Sequence, residues 1–344
     1  MAQVTHNLDI AVPEQISNQY PRLAAILNNP EMNLQFSESD ATANRGKLLF
    51  VLFGLLSLVL MVLMLLIVVW HPFLVELSIK PPGWLRWAGA GAGILSLLIS
   101  FTSRFVFRFQ KKWLYGRYVT ERLRQWKFQQ LLDGVFIDLS LTEPHAFERD
   151  LANRWVTAKF EVMEKPGAMD DFLDAENFSL FVKPSVCERR ELEQEVTAAY
   201  QTLRMDYQAK YFSFKKHVLE ALDVWTNGIA KLTFLLAGLL ALSEITIGFF
   251  ETTENEILML ALGVSALSLA LLSIAVRIFR SARAMSEESE RYSSKWVRLR
   301  TLVERFQSET EPAKRLESMI ETERVCVEEL REFIRTFRKS DYLL

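Results

Sequence analysis

The side chains that could do chemistry are sparse in this 344-residue sequence and poorly grouped. Four histidines, His6, His71, His145 and His217, lie far apart, and none belongs to an HExxH pattern, which would bring two imidazoles to one zinc ion. Cys187 and Cys326 are too few and too isolated for a disulfide framework or a thiolate cluster. No GxSxG elbow nominates a nucleophilic serine. Gly89, Gly91 and Gly93 form a GAGAG run, but no GK[ST] follows it and it lies in an apolar segment. The sequence therefore reads as a non-enzyme, with no catalytic residue, metal ligand or cofactor site. Glu244 stands apart, because a carboxylate inside an apolar stretch is costly unless it finds water, a partner or a proton. In an oligomer, one copy per subunit would form an acidic ring favouring cations. Alternatively, Glu244 lies near enough to the end of its stretch to reach the interface.

The elements that must hold these residues are set by where the apolar content is concentrated. Half of the residues are hydrophobic and 24% are charged, and residues 48–70 and 257–276 carry no charge at all. As helices, both are about 30 Å long, the thickness of a bilayer's hydrocarbon core. Two weaker spans pair with them: 84–103, with Arg86 near one end, and 232–250, which holds Glu244. The spacing predicts two hairpins, one linked through Pro72, Pro81, Pro82 and Gly83, the other through ETTENE at 251–256. Gly89 and Gly93 sit at a GxxxG spacing that lets helices pack closely, and Gly228 and Gly238 read the same way. The balance of 40 basic against 42 acidic residues excludes a general nucleic-acid binder.

Charge orients the spans. Arg45, Lys47, Arg104, Arg108, Lys111, Lys112, Lys215, Lys216, Lys231, Arg277, Arg280 and Arg283 all fall on one side of the four spans, whereas the 251–256 link carries three glutamates. The expectation is an all-α, multi-pass protein with both termini in the cytoplasm. Its segments are an N-terminal piece (1–47), a hairpin (48–103), a cytoplasmic helical region (104–231), a second hairpin (232–276) and C-terminal helices (277–344).

The cytoplasmic parts read as helical. In 111–132, Leu114, Tyr118, Leu123, Trp126 and Leu131 recur near helical spacing. That stripe suits packing within the chain, or contact with anionic headgroups through Trp113 and Trp126. Short helices and loops are expected over 140–190, punctuated by Pro144, Pro166, Gly167 and Pro184, before a long helix resumes near 188. Pro312 divides the tail. Its last helix carries Leu316, Ile320, Val327, Leu330, Ile334 and Phe337 with one polar gap at Glu323, a pattern suiting a coiled coil, a helical core or a subunit contact.

The stretch KKWLYGRYVTERLRQWKFQQLL, especially Trp113, Arg117, Glu121, Leu123 and Arg124, resembles the cytoplasmic helix of bacterial membrane proteins carrying a SLATT-type domain. The segment YQTLRMDYQAKYFSFKKHVLEALDVW with its following hairpin, and the last helix with Ile320, Glu321, Glu328, Phe333 and Phe337, are similar to the matching parts of that family. The resemblance implies a pore-forming or membrane-disrupting effector of the bacterial inner membrane, acting in antiphage defence. Members can be joined to a SLOG ligand-sensing domain; 47 residues before the first span leave no room for one, so a separate protein is expected to sense or make the signal. The expected partners are the lipid bilayer, further copies of the chain and that cytoplasmic protein. Trp113, Arg117, Glu121 and Arg124 are expected to form a cytoplasmic docking network, Gly89 and Gly93 a helix contact, and Glu244 a polar contact within the membrane. A non-conducting scaffold that recruits soluble partners is the competing expectation.

Overall fold

A computed structural model of the chain describes residues 7–10, 18–250 and 256–339. Most of the expected 251–256 loop, residues 251–255, lies outside the described residues. The fold is all-α. In chain order the helices are α1 (Ala24–Leu27), α2 (Pro30–Glu76), α3 (Trp84–Phe101), α4 (Phe109–Gln129), α5 (Gly134–Thr142), α6 (Pro144–Lys159), α7 (Ala168–Asp174), α8 (Arg190–Tyr200), α9 (Tyr207–Phe250), α10 (Glu256–Ala282), α11 (Met285–Ser308) and α12 (Pro312–Lys339). The chain divides into two compact units. The first comprises Met1–Arg45, Lys112–Val218 and Glu287–Arg338; the second comprises Gly46–Lys111, Leu219–Ser286 and Lys339–Leu344.

The second unit holds the apolar helices. Among the described residues, four helical stretches are long and apolar enough to cross a membrane: Pro30–Glu76, Trp84–Phe107, Arg190–Phe249 and Glu256–Ser308. Leu52, Val59, Val68, Leu97, Leu98, Leu235, Leu242, Ile245, Leu267 and Ile274 are each more than half exposed. Such a surface matches hydrocarbon rather than water as its solvent. Pro72, expected in the first link, lies inside α2 instead. The helix ends at Glu76 and is closed by Ser78, which takes the left-handed conformation (φ 57°), with Ile79 N–H bonding Leu74 O at 3.1 Å and Ser78 N–H bonding Val75 O at 3.0 Å. This is the paired C-terminal closure usually built on glycine. After α3, a π-helical turn at Thr102–Phe107 and a left-handed Arg108 (φ 50°) break the helix before α4 begins.

The first unit is built around α4. Residues 123–134 are all buried, so the C-terminal half of this helix is covered on every side, whereas Lys111, Lys112 and Tyr115 nearer its start are exposed. Trp113 meets Phe333 and Phe337 of α12 at ring centroid distances of 5.5 and 4.6 Å, and Trp126 meets Trp155 of α6 edge-on at 5.2 Å. Both indoles are core side chains, which decides between the two readings of that stripe in favour of packing. Gly116 is needed because a Cβ there would come within 2.9 Å of the Ala43 Cβ on α2. The N-terminal piece joins the same core: Leu23, Ile26, Leu27, Met32 and Phe36 are buried. Val327, Leu330, Ile334 and Phe337 of α12 are buried within the chain. Across the α11–α12 pair, Lys295 bonds Glu328 and Glu332 at 3.2 and 2.9 Å, and Arg298 bonds Glu328 at 2.6 Å.

Candidate functional site

The sequence places Arg117, Glu121 and Arg124 one turn apart on α4, and the structure gathers them with the N-terminal piece into an interior network. Arg117 Nη1 lies 2.8 Å from Glu121 Oε1, and Arg124 bonds the same carboxylate oxygen. Arg124 Nε reaches Asp9 at 2.5 Å, its Nη2 donates to Asn7 Oδ1 at 2.7 Å, and its guanidinium lies 5.1 Å from the Phe36 ring. Lys127 Nζ donates to the Asp9 carbonyl at 3.1 Å. Glu121 and Arg124 are only 6% and 4% exposed, and Trp113 is 4% exposed. The network expected to dock a partner lies in the interior here: Asn7, Asp9 and Phe36 of the N-terminal piece cover Arg124, and Phe333 and Phe337 of α12 cover Trp113.

Burial would raise the Glu121 carboxyl, yet Arg117 and Arg124 outweigh it and hold it at about 2. A carboxylate depressed in the folded state stabilises the fold above its unfolded value, near 4.5, and that contribution is lost as pH falls towards about 2. The stability difference between the natural chain and Glu121→Gln is therefore expected to be constant above about pH 4.5 and to vanish towards about pH 2, as read by thermal unfolding in detergent. A difference unchanged across that range would show that Glu121 is not the group holding the network.

The polar gap at Glu323 has a specific answer. Its carboxylate receives Arg204 Nε at 2.8 Å and Arg204 Nη2 at 3.1 Å, the Tyr200 hydroxyl at 2.9 Å and Gln129 Nε2 at 3.3 Å. Arg204 and Glu323 are both fully buried. Arg204 sits on a π-helical turn, Gln201–Asp206, between α8 and α9, where one wider turn shifts the register of side chains facing α12. Local sequence could have flagged Glu323 as a charge in an apolar stripe, but not its partner.

In the second unit, polar side chains tie helices together. Ser57 and Ser96 exchange hydroxyl-to-carbonyl bonds at 3.0 and 2.8 Å between α2 and α3. Ser273 donates to Ala230 O at 2.8 Å between α10 and α9, and Trp70 Nε1 donates to Ser268 at 2.9 Å, joining the two hairpins. A Cβ on Gly89 would lie 3.0 Å from Ile67, and one on Gly93 2.3 Å from the Met64 sulfur, so α2 and α3 approach closely there. Gly228 and Gly238, expected at similar approaches, have nothing within 4 Å of such a Cβ. Glu244 is half-buried and its carboxylate lies in the α9–α10 seam, 2.8 Å from where a Gly263 Cβ would stand. A side chain at 263 would displace that carboxylate from its present position.

Two cavities flank the first hairpin. One, about 400 Å³, is lined by Phe50, Phe53, Arg104, Arg108 and Lys111 among others; the second, about 970 Å³, includes His71 and Arg86, whose Nε donates to His71 Nε2 at 2.8 Å. Trp84 and Trp87, at the start of α3, are 66% and 80% exposed. Among the described residues, no group of three or more His, Cys, Asp or Glu side chains could hold a metal ion.

No family model, curated protein or solved structure matches the chain. What the fold and its apolar surfaces define is a class, a multi-helix membrane-type protein with four long apolar helices in two pairs and a helical region between them.

Proposed function

We propose that the chain is a membrane effector of the bacterial inner membrane, with both termini cytoplasmic, which assembles from several copies and opens a conductive path or perturbs the bilayer when a signal reaches its cytoplasmic helices. The observation that carries this reading is Glu244. A carboxylate held in the α9–α10 seam, over a glycine that leaves space for it, is an expensive group to keep in a span unless it contacts water, ions or another subunit. The hydroxyls of Ser57, Ser96, Ser268 and Ser273 serve helix contacts within one chain, so a conducting path is expected to form between copies. A role in antiphage defence, and a separate protein that supplies the signal, are supported by the SLATT-like sequence of 111–132.

Purified chain reconstituted over a range of protein-to-lipid ratios, with and without extract from phage-challenged cells, tests the reading. The expected result is discrete conductance that depends on the extract and falls sharply in Glu244→Gln. A silent, intact bilayer after verified insertion and oligomerisation would overturn it and put the non-conducting scaffold first.

A further inference from the structure

A cavity of about 230 Å³ opens in the first unit between α4, the Phe160–Glu164 turn, α7 and α12. Arg122 stands at its wall. Its guanidinium lies 5.1 Å from the Phe172 ring centroid and 4.3 Å from the Phe181 ring centroid, so aromatic carbon packs closely against it. One edge is used: Nη1 donates to Gln125 Oε1 at 2.7 Å. Nε is buried and, among the described residues, has no hydrogen-bond partner. A buried donor left without an acceptor is costly, and a guanidinium presents its donors in its own plane.

A second guanidinium shares the cavity. Arg331 lies 5.0 Å from the centroid of that same Phe172 ring, held by bonds from its Nε to Phe172 O at 3.0 Å and from its Nη2 to Asn177 O at 3.3 Å. Burial pulls both arginines below their ordinary values, and Arg331 adds repulsion at Arg122 while Arg335 does so at Arg331. Two acids also line the cavity. Asp171 is engaged by Lys165 at 2.6 Å; Glu161 is exposed, and among the described residues no carboxylate lies within ion-pair distance of Arg122 or Arg331. The Tyr118 hydroxyl donates to Ala168 O at 3.2 Å and its oxygen faces Arg122, whose charge draws the raised phenol back down; Ser179 also lines the cavity.

We propose that this cavity binds a small anionic molecule through a carboxylate or phosphate group lying in the plane of the Arg122 guanidinium, with Arg331 as the second cation. The volume falls below the roughly 300–1,000 Å³ of pockets for drug-sized ligands, which selects a compact anion. Glu161 is the internal competitor, an acid close enough to weigh on Arg122 but not bonded to it. This site stands on its own geometry and does not depend on whether the membrane unit conducts.

The test is saturable stabilisation of the full chain in detergent. Inorganic phosphate and malonate are titrated against chloride at matched ionic strength, with thermal unfolding and calorimetry as readouts. The expected result is saturation by at least one of the two anions beyond the chloride control. Binding should weaken about tenfold or more in Arg122→Gln, and Arg122→Lys should rescue only part because it lacks the planar fork. Since removing a buried cation could impair folding, Glu161→Gln supplies an independent arm on an exposed side chain: it should tighten binding severalfold. No saturable effect with either anion, equal affinity in Arg122→Gln, or equal affinity in Glu161→Gln would each overturn the proposal.

Discussion

Replacing Glu323 with leucine is expected to destabilise the first unit by about 3–5 kcal/mol, because it strands the Arg204 guanidinium in the interior. The two side chains are fully buried and joined by a two-pronged contact, at 2.8 and 3.1 Å. The Tyr200 hydroxyl would keep its bond to Met319 O at 3.0 Å, whereas Gln129 Nε2 would lose its acceptor. Arg204→Met should cost a similar amount, since it leaves Glu323 as the unpaired charge. The double replacement should recover most of the loss, because desolvating an ion pair consumes much of what its attraction returns. Chemical denaturation of the detergent-solubilised chain, read with amide protection in α4, α8 and α12, measures all three variants. Additive losses in the double variant would mean that the two residues stabilise the fold independently.

Gly134→Ala should be nearly as damaging for a steric reason. A Cβ at this position would lie 2.2 Å from Cys187 N and 2.3 Å from the Val186 carbonyl carbon. Neither strand of backbone can step aside. Gly134 N–H bonds Ser185 O at 3.0 Å, Ser185 N–H bonds Leu132 O at 2.9 Å, and the Ser185 hydroxyl donates to Asp133 Oδ1 at 3.2 Å. Asp133 itself caps α5 through Phe136 N–H at 3.1 Å and holds Arg154 at 3.0 Å. Overpacking costs about 1–3 kcal/mol where side chains can shift, and a backbone obstruction belongs at or above the upper end of that range. Gly228→Ala is the control, a helical glycine in open space, for which a gain of about 0.5–1 kcal/mol is expected. Equal thermal unfolding of the two variants would remove the steric argument.

The two tests address the parts of the molecule that are least visible in local sequence. The stripe of α12 was legible as an amphipathic helix, and Glu323 was legible as its one interruption, but its partner lies 119 residues away on a π-helical turn. Arg117, Glu121 and Arg124 could be paired from their spacing on one helix. Their burial could not, because it comes from the N-terminal piece and α12 closing over α4, and Asp9 reaches Arg124 from far along the chain. Local sequence set the N-terminal piece apart only as the segment ahead of the first span, although Leu23, Ile26 and Leu27 in it have helical spacing and are buried.

By itself the sequence determined the all-α character and the four apolar stretches, because apolar length and helical periodicity are properties of neighbouring residues. It also determined which residue in those stretches is electrostatically costly, Glu244. Tertiary structure alone decided that Glu244 lies over Gly263, that Gly89 and Gly93 meet α2 while Gly228 and Gly238 meet open space, and that Pro72 stays within its helix. It alone packed Arg122 against two rings beside a cavity. These are contacts between residues distant in the chain, and the free energy of such a contact depends on which surfaces the fold brings together, not on the spacing of residues within one helix.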